Sequence, residues 1–146
     1  MLFSEALRRP VLSISSATSL GAVDGFVVDV KRPQVVALRL AGSDQVIEWD
    51  RIESFGPDAV TVADDEVPAE QKGRVQALAD ARFALLNKRV LDDRGDESGT
   101  VHDVDFDPES GRVTSVITST GSLDGDRLIG CGPYAVVVRA ADAANS

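Results

Sequence analysis

The chain spells nearly the same thirteen residues twice. Residues 50–62 read DRIESFGPDAVTV, residues 126–138 read DRLIGCGPYAVVV, and seven of the thirteen positions are identical. Such a repeat constrains the fold more than any composition figure, because each copy must build the same supersecondary unit. Upstream segments match in the same order. Leu7-Arg8-Arg9-Pro10-Val11-Leu12 lies over Leu86-Asn87-Lys88-Arg89-Val90-Leu91, Gly21-Ala22-Val23 over Gly99-Thr100-Val101, Asp29 over Asp107, and Val35-Val36-Ala37-Leu38 over Val113-Thr114-Ser115-Val116. Only small loop gaps are needed, so the sequence reads as a tandem duplication.

Each copy reads as short strands. In the first, residues 25–30, 35–40, 44–49 and 59–63 are β-rich runs bounded by turn residues. In the second, residues 101–107 alternate, with His102, Val104 and Phe106 on one face and Asp103, Asp105 and Asp107 on the other. Asp107-Pro108-Glu109-Ser110-Gly111 is turn chemistry, and a returning strand over 113–117 completes a hairpin. Gly56-Pro57-Asp58 and Gly132-Pro133-Tyr134 are the last turns before the closing strands. Many short strands with frequent turns point to a small barrel, whose closure removes exposed edges. Between the copies, Val75, Leu78, Arg82 and Leu85 fall at helical spacing, as do Ala79, Phe83 and Leu86, which predicts a short helix over residues 75–86. The expected organisation is a first unit over 1–66, a linker with a short helix over 67–86, a second unit over 87–140 and a flexible tail over 141–146.

The ordered motifs resemble the PRC-barrel domain. Leu86-Asn87-Lys88-Arg89-Val90-Leu91-Asp92-Asp93-Arg94-Gly95 leads into Gly99-Thr100-Val101-His102-Asp103-Val104-Asp105-Phe106-Asp107. A hydrophobic hairpin follows, and Gly132-Pro133-Tyr134-Ala135-Val136-Val137-Val138 closes the unit. The first copy departs from this pattern: residues 13–19 replace the acidic-Gly turn, and Gly25 stands where Asp103 does. The resemblance implies a mainly β chain of two small PRC-type β-barrels in tandem joined by a short helix. It implies binding to other macromolecules, as in the cytoplasmic part of the photosynthetic reaction-centre H subunit and the C-terminal domain of the ribosome maturation factor RimM. It brings no shared catalytic residues and no cofactor.

The charge excludes some partners. Twenty-four acidic against fifteen basic residues give a net charge of −9. Nucleic-acid binding draws on cations set against phosphates, and here no basic run is longer than a short pair such as Lys31-Arg32. Direct nucleic-acid binding is not expected, nor is attraction to an anionic membrane surface. No run reaches the roughly 20 apolar residues of a membrane span. The first fifteen residues lack the apolar core of a signal peptide. With a single cysteine, Cys131, no intrachain disulfide can form, and a cytoplasmic location is the expectation.

Candidate chemistry is thin. Asp103-x-Asp105-x-Asp107 starts like a calcium loop, but Pro108 and Thr114 stand where Gly and Glu are required. Alternate carboxylates on a strand also point outward in a row, so a polar barrel face is the stronger reading. His102 is the only histidine, which rules out a multi-histidine zinc site. Cys131 stands where the first copy has Phe55, which suggests a partly buried, inert thiol. Arg51 and Arg127 recur behind Asp50 and Asp126, which suggests a turn or an interbarrel salt bridge.

Residues that differ between copies are where specificity should lie. Trp49, the lone tryptophan, falls opposite Gly125. A residue needed by the basic barrel would recur, so Trp49 either packs against the helix or the other barrel, or anchors a partner. Tyr134 is the second candidate partner-binding residue. The expected function is a non-enzymatic adaptor with no metal or cofactor. It would dock a protein partner through an apolar patch or an open strand edge, and its acidic surface favours a basic one. Pairing of exposed edges would allow a homodimer. The alternative is a small-ligand or divalent-metal sensor using a cleft between the barrels.

Overall fold

The computed structural model describes residues 1–42, 45–70, 85–132 and 134–140. A single helical turn, α1 (Phe3–Ala6), precedes β1 (Pro10–Ser13), β2 (Ser19–Asp29), β3 (Gln34–Leu40), β4 (Gln45–Glu48), β5 (Ile52–Phe55), β6 (Val60–Val62) and the short β7 (Ala69–Glu70). The second half contributes β8 (Arg89–Asp92), β9 (Glu97–Phe106), β10 (Val113–Thr118), β11 (Gly121–Asp124), β12 (Leu128–Cys131) and β13 (Val136–Val138). The chain is mainly β, as its valine-rich runs and frequent turns require. Nearly all of the helix expected over 75–86, and the tail over 141–146, lie outside the described residues.

Two sheets form, ordered β5-β6-β1-β2-β3-β4-β7 and β11-β10-β9-β8-β13-β12. Taken from its β12 end, the second repeats the first six strands of the first. In that order β4 and β5 are far apart, yet only the three-residue 3-10 turn Trp49–Arg51 joins them. Five interstrand spacings across a flat sheet need about 24 Å. The four Cα steps from Glu48 to Ile52 reach at most about 14 Å. The sheet therefore curls until its ends approach, and the matching turn Gly125–Arg127 imposes the same curl on the second.

The irregularities repeat too. A residue is skipped in the ladder at Leu20 and at Ser98, at Asp24 and at His102, at Val36 and at Thr114, and at Glu53 and at Ile129. Each pair occupies matching positions of the two halves. Bulges bend a strand and increase its twist, which helps so small a sheet to curl. The bulge at His102 corrects the expected alternation along β9. Val101 and Val104 are buried while His102 faces solvent, because one extra residue moves the side-chain phase by one.

The thirteen-residue repeat has a structural explanation. It supplies the 3-10 turn, a bulged strand, a Gly-containing turn, and a closing strand that runs parallel to the opening one. Val60 and Val136 lie beside Val11 and Val90 and all four are buried. The Gly turn is held the same way twice. Gly56 N donates to Ala59 O (3.0 Å) and Gly132 N to Ala135 O (3.1 Å). Arg9 Nη1 donates to Gly56 O (2.9 Å) where Lys88 Nζ donates to Gly132 O (2.8 Å).

The halves meet at their β2–β3 and β9–β10 turns. Val35 N donates to Gly111 O (2.7 Å), and Val113 N donates to Pro33 O (2.9 Å). Gln34 and Arg112 pair as an antiparallel bridge between these bonds. Exchanging the halves maps one bond onto the other, so the junction has the local twofold form of an isologous dimer contact. The hydrophobic core is continuous across it. Phe106 of β9 is 1% exposed and reaches Phe3, Phe26 and Phe55 at 5.5 Å each and Trp49 at 6.1 Å between ring centroids. Second-half Phe106 thus completes a first-half aromatic cluster.

Candidate functional site

Trp49 opens the 3-10 turn instead of ending a strand, and it is half-buried. Its indole lies against Gly111 of the other half. A Cβ at Gly111 would stand 2.8 Å from Trp49 Cε2, and the backbone there has φ +79°, so glycine suits the position twice over. The indole also stacks on Phe55, with centroids 6.0 Å apart and planes at 20°. Packing against the other unit, one of the two roles the sequence allowed, is therefore observed.

Trp49 has a second environment. It lines a cleft of about 430 Å³ together with Ile52, Glu53, Phe55, Pro108 and Glu109. β5 supplies one wall and the β9–β10 turn the other. Glu53 is the skipped residue of the β5 bulge, and bulges recur where a side chain must be re-aimed. Glu53 and Glu109 are both exposed, and neither carboxylate has a hydrogen-bond or ion-pair partner among the described residues. Arg9 lies over the Phe55 ring, its Cζ 5.8 Å from the centroid, while held by the carbonyls of Gly56 and Glu5.

The matching place in the second half is different. Gly125 replaces Trp49, Cys131 replaces Phe55, Ile129 replaces Glu53, and Lys31 of the facing turn replaces Glu109. Gly125 is buried, and a Cβ there would come 2.2 Å from Val113 O, so no side chain can be added without moving backbone. The aromatic and acidic side chains of the cleft therefore occur on one side of the local twofold only. Sequence comparison flagged Trp49 but missed Glu53 and Glu109. The signal was present in the substitution of Glu53 by Ile129, but only the fold sets these residues beside the tryptophan.

Tyr134 lies elsewhere. It sits between β12 and β13, is 70% exposed, and has the Arg89 guanidinium 4.9 Å from its ring centroid. Arg89 Nη1 also donates to its hydroxyl at 3.0 Å. No ring contact or hydrogen bond joins Tyr134 to Trp49 among the described residues.

The remaining candidates do not assemble into a reactive centre. Asp103 accepts from the Ser4 amide (3.2 Å) and hydroxyl, Asp105 pairs with the Met1 amino group (2.8 Å), and Asp107 accepts from Glu109 N (2.8 Å). The three carboxylates are thus engaged separately. Among the described residues, no group of three or more His, Cys, Asp or Glu could hold a metal ion. Cys131 is half-buried, and desolvation pushes its thiol pKa up, opposed by the nearby charge of Lys88. The repeated Asp-Arg pair marks the 3-10 turn, and the described contacts of its second copy are not interbarrel. Asp126 pairs with Arg112 at 3.0 Å, and Arg127 Nε donates to Arg139 O at 3.0 Å, all within the second half. Among the described residues no helix is long and apolar enough to cross a membrane.

Residues 81–144 match the family model of the PRC-barrel domain. No curated protein matches the chain.

Proposed function

We propose that the chain is a non-enzymatic adaptor that binds a basic protein partner through the face carrying Trp49. In this reading residues 1–66 are a diverged second copy of the PRC-type unit in residues 87–140, with 67–86 as the linker. Residues 81–144 match the PRC-barrel model, and PRC-barrel domains are protein-interaction modules, which supports this class of function. The shared strand order and matched bulges support a common origin for the two halves. The one observation that carries the site is the cleft at Trp49, whose aromatic and acidic lining residues are replaced by Gly125, Cys131, Ile129 and Lys31 at the matching positions of the other half. Among the described residues the exposed large apolar side chains are Ile14 just after β1, Ile129 on β12 and Tyr134 between β12 and β13, and no one element gathers them. The junction between the halves has the form of an isologous contact made within one chain. That supports one chain as the working unit.

Affinity capture from the native cell tests the reading, with the tagged chain run beside a Glu53→Lys/Glu109→Lys double variant. Both side chains are exposed, so the variant should melt within about 1 kcal/mol of the parent. A partner held by the parent and lost by the variant is the expected result. A partner held equally by both would move the interface, with Tyr134 next to be substituted. Failure to capture any specific protein would count against an adaptor.

A further inference from the structure

We infer that the Trp49 cleft is a guanidinium site: it takes an arginine side chain presented by an extended basic segment of the partner. The inference rests on the adaptor reading and names the chemistry of its occupant. The cleft combines an indole, a stacked phenyl ring and two carboxylates that no described cation neutralises. A guanidinium is the group that uses the open part of the indole and both carboxylates together. Its flat face stacks on an aromatic ring, and its edge donates paired hydrogen bonds to carboxylates. An ammonium has no flat face to stack, and a purely apolar occupant would leave Glu53 and Glu109 facing it without compensation.

The molecule itself contains two examples of the contact. Arg9 lies over Phe55 on the edge of this cleft, and Arg89 lies over Tyr134. Arg9 is held by backbone carbonyls and leaves the indole without a described cation above it. The opposite side of the twofold acts as a built-in control. There the corresponding residues are Gly125, Cys131, Ile129 and Lys31, with no ring, no carboxylate and a resident positive charge. The net charge of −9 adds long-range attraction for a basic segment.

Trp49 is the only tryptophan, so its fluorescence reports the cleft directly. The experiment titrates the full chain with acetyl-Gly-Arg-Gly-amide and with its citrulline counterpart, which keeps the shape and removes the charge. The expected result is a saturable change in Trp49 emission with the arginine peptide, weakened by added salt, and none with citrulline at the same concentrations. Glu53→Gln/Glu109→Gln should weaken the response about tenfold or more, since each lost carboxylate removes a charge-assisted contact. Equal responses to both peptides, or a response unchanged in the double variant, would overturn the assignment. Its failure is separable from that of the adaptor reading. Peptide binding without any captured partner removes the adaptor and leaves the site. Partner capture without peptide binding removes the site and leaves the adaptor.

Discussion

The two halves use one frame to different ends. Both curl a six-stranded order with the same 3-10 turn and the same four bulges. Both clamp the closing turn with a basic side chain, Arg9 in one and Lys88 in the other. They part at the residues around that frame. The first half gathers Phe3, Phe26, Trp49 and Phe55 around Phe106, whereas the second has valine, glycine and cysteine at the matching places that are described. The lesson is that the elements the halves share carry the fold, while the proposed recognition rests on where they differ.

Substitutions at matched positions sharpen that contrast. The largest effect should come from Phe106→Ala, at about 3–5 kcal/mol of unfolding free energy, because it empties the centre of the aromatic cluster. Val28 is its counterpart, and Val28→Ala should cost only about 2 kcal/mol, since it removes less volume. Chemical denaturation of the two variants reads the difference, and equal losses would break the comparison.

Trp49→Ala should cost about 2 kcal/mol, less than full burial implies, because part of the indole faces the cleft. The left-handed turn position gives a smaller, signed test. Ala17 has φ +56° where the second half has Gly95 at +85°. Ala17→Gly should stabilise by about 0.5–1 kcal/mol, and Gly95→Ala should destabilise by about 1 kcal/mol. Thermal melts check both signs.

Smallest in stability, but clear in direction, is Cys131. Its pKa is raised by desolvation, so the folded state favours the neutral thiol. Any stabilisation from this group is complete below the unfolded thiol pKa and fades as pH rises through the folded one. Alkylation of the native chain should therefore begin at higher pH than alkylation of the unfolded chain. Coincident pH profiles would contradict a partly buried, inert thiol.

How much was legible beforehand follows from the same contrast. The repeat exposed the frame, since motifs such as Gly-Pro before Ala-Val-x-Val recur when a turn and closing strand recur. It exposed Trp49 as well, since a side chain without a counterpart stands out. The bulges were not legible. Residues 101–107 alternate cleanly on paper, and only pairing with β10 reveals that His102 is the extra residue. The short opening strands β1 and β8 were matched as motifs without being read as strands, because four residues hold too little periodicity. The acidic half of the cleft was hidden for a different reason. Glu53 and Glu109 are far apart in the chain, and only the turn-to-turn junction brings them to the same indole.

The most direct test is an amide-resolved NMR titration of the full chain with acetyl-Gly-Arg-Gly-amide. Shifts are expected at Glu53, Ser54, Phe55 and Glu109, with the matched amides of Ile129, Gly130, Cys131 and Lys31 unmoved. Equal shifts at both sets, or shifts at the second alone, would contradict the claim that recognition lies where the two halves differ.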